Sequence, residues 1–197
     1  MKTLYILMLG CLFCYNSSSQ SIEQIDFIVK NTETLLQDSL LQSASAQFNT
    51  VMAGLGNESL HLRFDYEIET ANEEHDNTLY RLKKVALSYW IAASESHELS
   101  YYFDDKGKLI YCYEKAEAYT CGEHELYFKE DTCILFISRP GTTNCIDSEL
   151  SIIYPNISKS IDFNTIEQKI INNTILRATS LKSQYMAMQN IAQDVLK

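Results

Sequence analysis

Two hydrophobic periods follow one another along this chain, and the switches between them divide it into a helix, a run of strands and a second helical stretch. Ile22, Ile25, Ile28, Val29, Thr32, Leu35, Leu36 and Leu40 recur mostly three and four apart, the stripe of an amphipathic helix. The spacing predicts that helix over 21–47. Gly54, Gly56 and Asn57 then break the pattern. Over 61–70 the period falls to two, with Leu62, Phe64, Tyr66 and Ile68 alternating with Arg63, Asp65, Glu67 and Glu69. That alternation predicts a strand with one apolar and one charged face.

A polar turn over 71–77 leads to a strand over 79–91, long enough to bend or carry a bulge, on which Tyr89 and Trp90 point to opposite faces. Two hairpins follow. The first joins 99–103 to 108–113 through Asp104, Asp105, Lys106 and Gly107, the glycine being suited to a positive φ. The second joins 125–129 to 132–138 through Glu130 and Asp131. Positions 150–154, closed by Pro155, predict one further edge strand. After Asp162, the expected N-cap, Ile166, Ile170, Leu176, Leu181, Tyr185, Met188, Ala192 and Val195 return to helical spacing. They give one helix, or two broken near Asn172 and Asn173.

These elements predict a single α+β domain over 21–197. An antiparallel meander of about five to seven strands over 60–154 packs against an N-terminal helix and a helical C-terminus over 163–197. Burying both helices on the apolar side of the sheet gives a two-layer sandwich.

The first twenty positions change the picture by giving the chain an address. Lys2, the apolar run from Leu4 to Phe13 and the uncharged polar stretch 16–20 have the form of a signal peptide. The run is shorter than the roughly 20 apolar residues that span a bilayer, so the expected product is periplasmic or secreted, without a transmembrane segment. A lipid anchor at Cys11 is the alternative. It is disfavoured because Leu12 and Phe13 keep the chain apolar beyond that cysteine.

Charge then excludes a class of partner. The 197 residues carry a net −10, and removal of Lys2 makes the product more negative still. Nucleic acid is not an expected partner, since its binding depends on clustered Lys and Arg. With 46% hydrophobic residues the chain holds enough apolar surface for a core.

Export also governs the cysteines. Cys11 and Cys14 leave with the leader, and Cys112, Cys121, Cys133 and Cys145 remain, an even set suited to disulfides in an oxidising compartment. The loop around Thr120 favours pairing Cys121 with Cys145 and leaves Cys112 with Cys133. A plain meander sets the second pair on either side of the strand holding Phe128, about 9.5 Å apart against a reach of about 7 Å. Either the strand order departs from a meander or one pair stays reduced. Cys121 and His124 make a lone C-x-x-H without a second half, so no metal site or cofactor is expected.

The segment Tyr101, Tyr102, Phe103, Asp104, Asp105, Lys106, Gly107, Lys108, Leu109, Ile110, Tyr111, Cys112, Tyr113, followed by Glu125, Leu126, Tyr127 and Phe128, resembles the repeated hairpin of small exported Bacteroidetes proteins of unknown function. The resemblance implies a helix, an antiparallel sheet of such hairpins and a closing helix. It supplies no catalytic residue. Glu130 and Asp131 depart from it by replacing a glycine-containing turn.

No phosphate loop and no nucleophile elbow occurs, and no catalytic residue is assigned. Tyr101, Tyr111, Tyr113 and Tyr127 fall on the hairpins and mark an aromatic face that would meet a ligand or partner protein. The expected role is a non-enzymatic binding module, such as an inhibitor, an immunity factor or an envelope-associated protein. The alternative is a small secreted hydrolase built from carboxylates and His124.

Overall fold

The computed structural model describes residues 21–52, 56–70, 78–91, 95–117, 122–140 and 158–195. The expected signal peptide, Cys121, Cys145 and the strand expected at 150–154 lie outside the described residues.

Helix α1 spans Ile22–Gln37. Ser21 opens it with a capping box: its hydroxyl accepts from the Gln24 N–H at 3.3 Å and its own N–H donates to Gln24 Oε1 at 3.0 Å. The helix stops ten residues before the spacing predicts. Ser39 turns left-handed at φ 57°, its N–H donates to the Leu36 carbonyl at 3.1 Å, and the Leu40 N–H donates to that of Leu35 at 2.8 Å. This is a Schellman stop, with serine in the place glycine usually takes. Strand β1, Gln42–Met52, follows at once. Its Ala44, Ala46 and Phe48 stand opposite Phe64, Leu62 and Leu60.

Seven further strands follow: β2 Gly56–Thr70, β3 Thr78–Ile91, β4 Glu95–Phe103, β5 Leu109–Glu117, β6 Gly122–Lys129, β7 Thr132–Pro140 and β8 Ser158–Ser160. They form one antiparallel sheet in chain order, a meander of eight strands rather than five to seven. Gly107 takes φ 70° in the first hairpin, as its position predicts, while Glu130 and Asp131 close the second with φ 48° and 65° and no glycine. Helix α2 runs without a break over Thr165–Val195. Asn164, not Asp162, caps it, its Oδ1 accepting from the N–H groups of Ile166 and Glu167 at 2.9 Å each.

The helices lie on opposite faces of the sheet, so the architecture has three layers, not two. Ile25 packs with Tyr102, Ile110, Tyr127 and Ile137 on one face. Ile171, Ala178, Leu181 and Tyr185 pack with Phe64, Val85, Tyr101, Leu126, Phe128 and Phe136 on the other. Each such large side chain, fully buried, contributes roughly 1.5–3 kcal/mol. Strict alternation fails at three places, where one extra residue enters a strand: Lys83, Ile110 and Ile134. At each of these bulges two successive side chains face α1, as with Ile110 and Tyr111, while the residues on either side, Leu109 and Cys112, face α2.

Candidate binding surface

The four tyrosines nominated from sequence do not share a face. Tyr101 is fully buried under α2. Tyr111 and Tyr127 belong to the α1 side, where their rings meet edge-on at 5.0 Å. Tyr113 continues that side one step outward, opposite Ser100 and Glu125, and is half-buried. Desolvation raises the phenol pKa of Tyr101, Tyr111 and Tyr127, so all three remain protonated. Tyr111 and Tyr127 donate to Glu125 Oε2 at 3.0 and 3.3 Å, and Arg139 donates to Oε1. The aromatic row is thus a covered layer beneath α1, tied to a carboxylate at its margin.

At its other end α1 is pinned by Glu33, which accepts from Lys84 Nζ and from the Tyr102 hydroxyl at 2.7 Å each. Burial opposes the charge on Glu33, but the hydrogen bonds from Lys84 and Tyr102 outweigh it, and its pKa lies below the usual value. The ammonium of Lys84 also stands 5.1 Å from the Tyr102 ring centroid.

Beyond the reach of α1 the same face of the sheet is open and polar. The cross-strand row Ser45, Arg63, Ala86, Ser100 and Tyr113 runs from β1 to β5, and beside it runs Gln47, His61, Ser88, Glu98 and Lys115. Ala86, Ser88 and Ser100 are short, and a depression of about 410 Å³ lies there, bordered by Gln47, His61, Arg63 and Glu98. One step further out stands Trp90, the chain's single tryptophan. It is 50% exposed and has serine, Ser59 and Ser96, opposite it on both neighbouring strands. Of the tyrosines nominated from sequence only Tyr113 lies on this surface; sequence reasoning missed the rest, because Ser59 and Ser96 come opposite Trp90 only through strand pairing.

Comparison with known proteins gives no match. No family model, no curated protein and no solved structure matches the chain.

Of the residues available to the hydrolase alternative, Glu123 and Glu125 lie on the α1 side and only Glu114 and His124 meet on the α2 side. Glu114 and His124 are cross-strand neighbours, with Arg177 at 3.9 Å from Glu114 and donating to the Tyr101 hydroxyl at 3.4 Å. Desolvation raises the carboxyl pKa of Glu114, against the charges of Arg177 and His97. His124 is 5% exposed, its Nδ1 has no hydrogen-bond partner, and burial lowers its pKa to about 4. A histidine held neutral inside the sheet–helix layer is poorly placed to exchange protons with a substrate.

Cys112 and Cys133 are free thiols, both buried on the α2 side. The meander order holds, β6 lies between them, and the weaker of the two expected disulfides is not formed. Burial raises Cys112 well above the ordinary thiol range and Cys133 to about 12, so neither is a nucleophile at neutral pH. Among the described residues no group of three or more His, Cys, Asp or Glu could hold a metal ion, and no helix is long and apolar enough to cross a membrane.

Proposed function

We propose that this protein is an exported, non-enzymatic binding module of the periplasm, envelope or secreted fraction, and that it meets its partner with the open half of the α1-side sheet. The single observation that supports this most is how α1 divides that face. The tyrosine row is covered and internally bonded, whereas the rows through Arg63 and His61 are open, contain a depression and end at an exposed tryptophan. Aromatic and arginine side chains at the edge of a surface of small polar residues suit protein recognition. The leader over 1–20 supports the compartment.

Arginine substituted at Ser88 and Ser100 fills the depression without entering the core. Recovery of the partner from envelope and secreted fractions should fall at least tenfold, about 1.4 kcal/mol. The emission of Trp90, free of any other tryptophan's signal, should shift on binding to the unsubstituted chain. Undiminished recovery with the doubly substituted chain would rule this face out.

A further inference from the structure

Among the described residues, the two outermost strands of the sheet are guarded very differently. β8 is three residues long and carries Lys159, both of which blunt an edge against further pairing. β1 is eleven residues long, with no charged residue and no proline. Its register with β2 runs without a bulge from Gln42 opposite Tyr66 to Met52 opposite Gly56, and residues 47–50 are all exposed. Such an edge is a template for another strand.

Helix α2 supplies a second, independent observation. Arg177 reaches Tyr101 on β4 and Glu114 on β5, and Tyr185 rests on Phe64 and Tyr66 of β2. The helix therefore crosses the strands, advancing about one strand spacing of 4.8 Å for every three residues of 1.5 Å rise. One more spacing brings it over β1 near Met188. At that rate the seven residues from there to Val195, about 10 Å of helix, reach beyond the edge of the sheet. Met188 and Ile191 are 39% and 64% exposed there, although Met188 continues the spacing that buries Ala178, Leu181 and Tyr185.

We propose that a second copy of this chain adds its own β1 antiparallel to this one, joining two eight-stranded sheets into a single sheet with two-fold symmetry. Pairing centred on Gln47 matches all eleven residues of β1. It places Ala46 of each copy against Phe48 of the other, and it opposes no two charges even though the chain as a whole is strongly acidic. The two-fold axis stands perpendicular to the sheet, so both α2 overhangs fall on one face, each above the other copy's sheet. A foreign peptide strand would fill the edge but cover only about half of a 10 Å overhang; the β1 and β2 of a second copy cover all of it. This assignment rests on the edge of β1 and the reach of α2, not on the partner proposed for the open face, and although Gln47 borders that face's depression its test reads the dimer alone.

Sedimentation equilibrium of the full chain tests it. The expected result is a concentration-dependent dimer with no larger species. Gln47→Lys sets two like charges at the symmetry axis and should weaken dimerisation at least tenfold, as should Gln47→Glu, with circular dichroism unchanged. Mixing the two variants should restore a heterodimer, an outcome that simple destabilisation of β1 would not give. Ile191→Glu should weaken the dimer from the overhang without touching the strand. A chain that stays monomeric up to its solubility limit, grows without end, or shows no recovery on mixing would overturn the dimer. So would a monomer that takes up an extended peptide along β1.

Discussion

His124 shows how one buried side chain sets a pH dependence. Its folded-state pKa of about 4 lies below the 6.5 of an exposed histidine, and the cause is burial. The unfolded chain therefore binds a proton at a higher pH than the folded one, and stability falls as pH drops from about 6.5 through about 4. Fully expressed, the loss is on the order of 3 kcal/mol. Glu114 on the neighbouring strand acts in the opposite sense, because its raised pKa favours the folded state as it protonates. His124→Phe isolates the histidine: a phenyl ring fits beside Phe136, whose ring centroid is 5.3 Å away, and leaves no unpaired Nδ1. Urea midpoints of the variant should decline less between pH 7 and pH 4.5 than those of the unsubstituted protein. Equal declines would mean that this imidazole is solvated in the folded state. The sequence marks His124 only as half of an incomplete metal motif and as a residue of the hydrolase alternative, since what isolates it is burial beside Phe136, which depends on the pairing of β6 with β7.

Among the elements, α1 depends most on a single polar anchor. Lys84 is nearly buried, its side chain 9% exposed, while its partner Glu33 is 39% exposed. Removing Glu33 strands a desolvated ammonium, whereas removing Lys84 leaves a carboxylate that can turn to water. Glu33→Ala should therefore cost about 1–3 kcal/mol, and Lys84→Met distinctly less, in chemical denaturation. The reverse order would mean that Asp65, opposite Lys84 on β2, is the true partner of the lysine. The boundaries of α1 illustrate what periodicity can convey. The capping box at Ser21 and the stripe from Ile22 to Leu36 are visible in the sequence, but the stop at Ser39 is not. Leu40 extends the stripe, and serine gives no sign of the positive φ that ends the helix. The β1 pattern of alanine alternating with serine and glutamine is likewise too weakly apolar to announce a strand until Leu60, Leu62 and Phe64 lie opposite it.

At the scale of the whole molecule, the meander decides the state of the thiols. Cys112 and Cys133 are held apart by β6 and buried under α2, so they should not react with an aromatic disulfide reagent in the native protein. In denaturant, a chain beginning at Ser21 should yield two reactive thiols if Cys121 and Cys145 are joined. Four would dispose of that remaining disulfide. The two-fold assembly through β1 adds a concentration-dependent term to stability, so unfolding midpoints should rise with protein concentration.

The sequence by itself determined the class of this fold, an antiparallel meander between two amphipathic helices, because period and turn chemistry are local properties. It also determined the Gly107 hairpin, since a positive φ has few residues to serve it. Only the tertiary structure decided which face each helix covers. Three bulges, at Lys83, Ile110 and Ile134, shift the alternation and let the sheet present apolar side chains on both sides. That decision carries the candidate surface with it: Tyr101, Tyr111 and Tyr127 are drawn under the helices, and the serine-floored face between Tyr113 and Trp90 is left open. Apolar stripes tell a helix to find a surface, but the choice between two surfaces rests on pairings between residues far apart in the chain.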